Sequence, residues 1–105
     1  MTTYLVSRHR GAIEWIEQQG LNVDQIISHL EPETIQAGDI VIGTLPIQLA
    51  AQVCTRGARY LHLEIDLPFE KRGQELSAKD LVFYKAKLTE FTVKRSKNSS
   101  FSVQG

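Results

Sequence analysis

The first half of the chain alternates apolar runs of strand length with stretches of helical spacing. Thr3–Ser7 is rich in β-branched and aromatic residues, which is typical of a short buried strand. The segment 11–20 repeats its apolar residues at helical spacing, and Gly20 can end a helix there. Val23–Leu30 fits either a helical face or a strand, and its short length and β-branched content favour a strand. Asp39–Gly43 gives the clearest pattern of a buried strand.

The second half continues this alternation. Pro46 suits the start of a helix because its missing N–H would have no partner in the first turn. The apolar stripe that follows is formed by Leu49, Ala50, Val53 and Cys54. Arg59–Asp66 alternates polar and apolar residues, which predicts a strand with one apolar face. Ser77–Asp80 resembles a capping box and predicts a helix whose inward residues are Leu81, Tyr84, Leu88 and Phe91.

The order of these elements predicts an α/β fold. Strand, helix, strand, strand, helix, strand and helix follow one another, and helical crossovers favour parallel strands. We therefore expect a small Rossmann-like, mostly parallel sheet with helices on its faces. Residues 1–93 would form this single domain, and the basic, Ser-rich segment 94–105 would form a solvated C-terminal tail.

Composition limits the classes of function. The chain has 105 residues, with 12 Lys or Arg and 12 Asp or Glu, so its formal net charge is zero. A domain that grips DNA through its phosphates usually has a basic excess, so we expect no DNA partner. No apolar run approaches the roughly 20 residues of a membrane span, and the single Cys54 needs no oxidising compartment. We therefore expect a cytoplasmic protein that does not bind membranes.

Ser7–Gly11 is the first segment that could carry chemistry. It follows the first predicted strand and opens the first helix, where unpaired backbone N–H groups favour an anion. Arg8 could clamp a phosphate with a forked pair of hydrogen bonds, and His9 can move a proton at neutral pH. Arg10 adds a second guanidinium. A polar loop with a capping Ser7 explains the same residues without any ligand.

The second segment runs from Gly43 to Gln48 and opens the second helix. Gly43 allows a close backbone approach, Thr44 offers a hydroxyl or an N-cap, and Gln48 offers an amide for a base edge or a ribose. The stretch Gly-Thr-Leu-Pro, which includes Leu45 and Pro46, lacks the glycines of a dinucleotide fingerprint and the lysine of a P-loop. We therefore expect no nucleotide cofactor here, and a simple cap and turn remains an alternative.

Other candidate residues favour packing. His9, His29, His62 and Cys54 show no spacing typical of a metal site, so we expect no metal. Cys54 lies on a predicted apolar stripe, and His62 lies on the more polar face of its strand as a surface or packing residue. Trp15 could stack on a base or cover the sheet, and packing is favoured.

Five segments of the chain, in order and spacing, resemble one small family found beside type III CRISPR systems, the sixteenth of the accessory Csx series. They cover Thr3–His9, Gly11–Trp15, Gly38–Pro46, Arg56–Leu63 and Arg72–Ser77. The resemblance implies a ring nuclease with a fold related to the CRISPR-associated Rossmann-fold (CARF) domains that sense cyclic oligoadenylates. It further implies metal-independent cleavage of cyclic tetra-adenylate, which switches off the antiviral signal.

For such a reaction we assign Arg8 to charge stabilisation and His9 to proton transfer or phosphate contact. Ser7 and Thr44 would position the substrate. The other expected substrate-binding residues are Arg10, Gly11, Gly43, Leu45, Pro46 and Gln48. A ring of four identical nucleotides has twofold symmetry and one protomer is small, so we expect a homodimer around it.

Two positions depart from the family pattern. Arg10 stands where the family has proline, and Gln48 stands where it has asparagine. Arg10 adds a charge that can help to bind phosphate, whereas the longer Gln48 puts a hydrogen bond from that position in doubt. The main alternative function is a non-catalytic module that binds a cyclic oligoadenylate or docks on another CRISPR protein. An ordinary structural interaction domain is the third.

Overall fold

A computed structural model describes residues 1–96 of the chain. Its helices and strands, in chain order, are β1 Thr3–Val6, α1 Arg10–Gln18, β2 Gln25–Ile27, β3 Ile40–Gly43, α2 Ile47–Thr55, β4 Arg59–Glu64, α3 Ala78–Phe83 and β5 Lys87–Phe91. Short 3₁₀ turns occupy Pro32–Thr34 and Phe69–Lys71. Most of the tail predicted over 94–105 lies outside the described residues.

The sheet has five strands in the order β2-β1-β3-β4-β5. The first four are parallel, and β5 runs antiparallel to β4 at one edge. The predicted mostly parallel α/β fold is therefore confirmed. Val23–Leu30 does contain a strand, but only the three residues of β2 pair with β1.

Helices cover both faces of the sheet. On one face, α1 and α3 bury Trp15, Ile16 and Leu81 against Leu5 and Ile42. Trp15 is only 5% exposed, so its packing role is confirmed. On the other face, α2 packs against a second cluster that includes Leu30, Ile35, Val41, Val53 and Tyr60. Because α1 and α2 lie on opposite faces, the loops that lead into them frame the carboxyl edge of the sheet.

The prediction of a third helix that continues as far as Phe91 is wrong beyond Phe83. Its start is confirmed, since Ser77 and Asp80 form a reciprocal capping box. The helix ends because Lys85 adopts a left-handed backbone conformation with φ of 59°. Lys87–Phe91 then pairs with β4, so Leu88 and Phe91 belong to a strand.

The predicted apolar face of β4 is confirmed, but part of its opposite, more polar face is buried as well. Leu61 and Leu63 pack under α1 and α3, as their alternation indicates. Tyr60 points to the opposite face and is nevertheless 2% exposed, because α2 covers it. Within residues 1–96, no helix has the length and apolar character required to cross a membrane.

Candidate functional site

Two loops meet where the chain order of the sheet reverses. From β1 the chain passes to β2 on one side, and it then returns to β3 on the other side of β1. The loops that follow β1 and β3, here called the first loop (Ser7–His9) and the second loop (Thr44–Pro46), therefore leave the same edge. A Cβ on Gly43 would lie 2.9 Å from the carbonyl oxygen of Val6, so the predicted close backbone approach is to the neighbouring strand.

The first loop is tied down by its own polar groups. The Ser7 N–H donates to the carbonyl of Ile27, and the Ser7 hydroxyl accepts from the His9 N–H at 3.1 Å. His9 is the N-cap of α1, but its side chain makes no capping hydrogen bond. Arg8 makes a hydrogen bond in which its Nε–H donates to the carbonyl of Ser28 at 3.5 Å. The terminal nitrogens of Arg8 have no hydrogen-bond partner within residues 1–96, so the forked end of the guanidinium can meet an anion.

A carboxylate that the sequence analysis missed orients His9. Both carboxylate oxygens of Glu75 lie near His9 Nδ1, at 3.2 and 3.3 Å. Since a carboxylate only accepts hydrogen bonds, Nδ1 is the protonated nitrogen and Nε2 of a neutral ring keeps its lone pair. No other residue between 1 and 96 contacts Nε2 by a hydrogen bond. Both side chains are about 70% exposed, at 70% and 69%, so Nε2 is accessible to a ligand.

Arg10 and Gly11 differ in accessibility. The Arg10 side chain is 88% exposed and lies 4.0 Å from Glu14, one helical turn later. Gly11 is buried, and a Cβ at this position would overlap the carbonyl oxygen of Leu76. The structure thus gives Gly11 a packing role between α1 and the segment that leads into α3.

The second loop is held by the buried hydroxyl of Tyr60. This oxygen accepts the Leu45 N–H at 2.8 Å and lies 3.2 Å from the Gly43 carbonyl and 2.6 Å from His62 Nδ1. Burial raises the pKa of Tyr60, although the Leu45 N–H opposes part of that rise. The hydroxyl therefore remains neutral and fixes the backbone of the loop.

This arrangement limits what the second loop can offer a ligand. Leu45 has already donated its N–H, Pro46 has none, and the Leu45 side chain packs against the cluster under α2. The predicted N-cap role of Thr44 is wrong, because α2 begins at Ile47 with Pro46 as its N-cap. The Thr44 hydroxyl is thereby left exposed, and Gln48 is exposed in the first turn of α2.

The two loops share a cavity of about 190 Å³, here called the switch-point cavity. His9 and Thr44 line it from the two loops, and the remainder is lined by Gln74 and by five aliphatic residues, Ala12, Leu63, Ile65, Leu76 and Leu81. A wider groove of about 780 Å³ lies at the end of β4 among the residues 62–66, Lys85 and Lys87. It includes no residue of either loop, so its size does not make it the better candidate.

Within the described part of the chain, no group of three or more His, Cys, Asp or Glu side chains could hold a metal ion. Cys54 is partly buried, and its Sγ accepts the Val93 N–H at 3.4 Å. His62 packs edge to face with Tyr60 and Phe91, which confirms a packing role.

Comparison with known proteins assigns the family. The family model described as "Putative CRISPR-associated protein (Cas_VVA1548)" matches residues 4–94, which include both loops, Glu75 and all of the five strands except the first residue of β1. No curated protein and no solved structure matches the chain significantly. Since the match spans most of the sequence, the chain belongs to this CRISPR-associated family.

Proposed function

We propose that this protein is a ring nuclease that cleaves cyclic tetra-adenylate without a metal ion and so ends a type III CRISPR signal. The observation that carries the proposal is the switch-point cavity, where His9 of the first loop and Thr44 of the second line one space. Arg8 and Arg10 flank His9 in sequence, so cationic groups suited to phosphate accompany a proton-transfer group. The family match supports a role in a CRISPR system, and the resemblance described above implies this chemistry.

The reaction uses a nucleophile that the substrate already carries. A ribose 2′-oxygen attacks the phosphorus of its own 3′-phosphate, and the bond from phosphorus to the 5′-oxygen of the next nucleotide breaks. The products are a 2′,3′-cyclic phosphate and a free 5′-hydroxyl. The proton lost by the 2′-hydroxyl balances the proton gained by the leaving 5′-oxygen, so no water or redox partner is consumed.

His9 and Arg8 would divide the remaining work. The unprotonated His9 Nε2 can accept the 2′-hydroxyl proton, while Glu75 holds the ring from Nδ1. The free end of the Arg8 guanidinium can stabilise the negative charge that develops on the phosphoryl oxygens. Ser7 and Thr44 supply hydroxyl groups near the same edge for positioning.

A second copy of the chain would complete the site. The ring has twofold symmetry, and a homodimer would bring two copies of Arg8 and Arg10 around it despite the zero net charge. Light scattering with and without cyclic tetra-adenylate tests this part of the proposal. A particle that remains monomeric with bound ligand would contradict it.

The decisive experiment incubates the pure protein with cyclic tetra-adenylate in excess EDTA and separates the products. We expect linear fragments that end in a 2′,3′-cyclic phosphate and begin with a 5′-hydroxyl. Cleavage that requires added magnesium or manganese would refute the metal-independent mechanism. Binding without cleavage would refute the enzyme and support a sensing or sequestering module. Neither binding nor cleavage would leave a structural interaction domain.

A further inference from the structure

We infer that the switch-point cavity holds one adenine base of the ligand and that Gln74 reads its polar edge. The inference rests on the proposed function, because the base belongs to the same cyclic oligoadenylate. It adds a specificity-determining residue in a loop to which the sequence analysis gave no binding role.

The size of the cavity favours a single base. Its volume of about 190 Å³ is below the range of roughly 300–1,000 Å³ that is usual for sites enclosing a whole drug-sized ligand. The complete ring of four nucleotides is far larger still. One flat heteroaromatic group can enter, and the ribose and phosphate would then lie at the opening of the cavity, where the His9 side chain is exposed.

The lining suits a neutral aromatic group. Five aliphatic residues, among them Leu63, Leu76 and Leu81, form most of the wall, and none of the lining residues within 1–96 is Asp, Glu, Lys or Arg. A phosphate would find no compensating charge there. Arg8 and Arg10 are not among the lining residues, so the cationic groups suited to phosphate lie outside the cavity.

Three polar side chains stand on the lining: His9, Thr44 and Gln74. His9 and Thr44 face the reacting end of the ligand in the proposed mechanism. Gln74 is exposed, and its amide makes no hydrogen bond within the described chain. A glutamine amide presents one acceptor and two donors, which matches the adjacent donor and acceptor on the edge of adenine.

The position of Gln74 couples base recognition to catalysis. Gln74 directly precedes Glu75, whose carboxylate contacts His9. Leu76, the next residue, contributes to the cavity wall and abuts Gly11 of α1. A base seated against Gln74 would therefore lie beside the segment that orients the proton-transfer group.

Binding measurements on two non-cleavable rings test the inference. Both carry 2′-fluoro groups, which remove the nucleophile; one contains adenine and the other unsubstituted purine, which lacks the 6-amino donor. We expect the wild-type protein to bind the adenine ring roughly 10-fold more tightly or better, as one bidentate amide contact allows. Gln74→Ala should reduce that ratio to within about twofold, mainly by weakening adenine binding. Gln18→Ala, an exposed glutamine near the end of α1, is the matched control and should keep the ratio.

The outcomes separate this inference from the proposed function. If the wild-type protein binds and cleaves cyclic tetra-adenylate but Gln74→Ala keeps the full adenine preference, Gln74 does not read the base and the inference alone fails. A wild-type protein that shows no adenine preference would overturn it in the same way. If the wild-type protein neither binds nor cleaves the adenine ring, both proposals fail.

Discussion

The reactive side chains of the first loop make only exposed contacts with the rest of the molecule, whereas the second loop is fixed by one buried hydroxyl. His9 meets Glu75 at a surface where both are about 70% exposed, at 70% and 69%. Leu45 instead donates its backbone N–H to Tyr60, which is 2% exposed. The difference indicates that the two loops have different roles: the first presents reactive side chains, and the second keeps a fixed backbone conformation beside them. Variants of the first loop should change chemistry, and variants around the second should change stability.

The largest expected effect is on the first loop. His9→Ala should lower the single-turnover rate of cyclic tetra-adenylate cleavage by about 10²- to 10⁴-fold while retaining most binding, because proton transfer helps only as bonds change. Rapid-quench kinetics at saturating protein measure the rate. His29→Ala is the matched control, since His29 is also exposed and lies 3.4 Å from a carboxylate, that of Glu31. An equal loss in both variants would remove His9 from the proton-transfer role.

The next largest effect is expected at Asp39, which lies outside both loops and should change stability without changing cleavage. Asp39, at the amino end of β3, is 4% exposed and accepts the N–H groups of Gln36 and Thr2. Asp39→Asn keeps only one side-chain acceptor, so the free energy of unfolding at pH 7 should fall by about 3 kcal/mol. Urea titration measures this loss. Cleavage by the remaining folded protein should be unchanged.

Asp39 also predicts an acid dependence of stability. The backbone N–H groups of Gln36 and then Thr2 hold the pKa of its carboxyl below the ordinary value of 3.8. Because the folded pKa is depressed, the carboxylate contributes its full stabilisation above about pH 3.8 and loses it as the pH falls through the folded pKa. Asp39→Asn should lack this part of the acid loss. Parallel acid titrations of the two proteins would contradict the assignment.

Arg8 tests the other half of the first loop. Arg8→Ala should weaken ligand binding and cleavage together by about 30-fold, since charge-assisted hydrogen bonds to the phosphate exist in the ground state and the transition state. Arg8→Lys retains the charge but loses the fork, and it should recover only part of the binding. Calorimetry gives the affinity, and single-turnover kinetics give the rate. A loss confined to the rate, with full affinity, would assign Arg8 a purely catalytic role.

Tyr60→Phe tests whether the Tyr60 hydroxyl holds the backbone of the second loop. The variant leaves the Leu45 N–H and His62 Nδ1 without the hydroxyl, so the free energy of unfolding should fall by about 1.5 kcal/mol. Thermal and urea unfolding measure it. The ring of phenylalanine preserves packing under α2, which separates the hydrogen bonds from the cavity effect. Unchanged stability would show that the second loop is not held by this hydroxyl.

Glu75→Gln should give the smallest effect. The hydrogen bond between Glu75 and His9 is exposed, and glutamine can still accept it through its amide oxygen, so cleavage should slow by no more than about fivefold, with affinity unchanged. Single-turnover kinetics measure the rate and calorimetry measures the affinity. A loss as large as that of His9→Ala would show that Glu75 does more than hold the His9 ring.

The sequence predicted the two loops because strand, turn and helix signals are local. Thr3–Ser7 and Asp39–Gly43 carry the apolar runs of buried strands, and parallel strands end at a common edge. Glu75 was missed because it meets His9 across 66 positions of sequence, and no periodicity encodes such a contact. Gln74 was missed for the same reason, since only the packing of the segment before α3 brings it to the cavity.

The end of the chain shows a second limit. Leu81, Tyr84, Leu88 and Phe91 fit a helical face, yet the left-handed Lys85 divides them between α3 and β5. Lysine rarely adopts a left-handed backbone conformation, so its presence does not predict such a turn. The pairing of β5 depends in addition on the free edge of β4. The tertiary contact decided the secondary structure in that segment.

Gly11 has no Cβ, and this absence sets the spacing between α1 and the segment 74–76 on one side of the cavity. With no Cβ, it lets α1 approach the Leu76 carbonyl so closely that any larger residue would displace the segment 74–76. Gln74 and Glu75 would then move together, away from His9 and Thr44. The width of the site is thus determined by steric contact, so ionic strength should leave it unchanged even where it weakens an exposed ion pair such as that of Arg59 with Glu90.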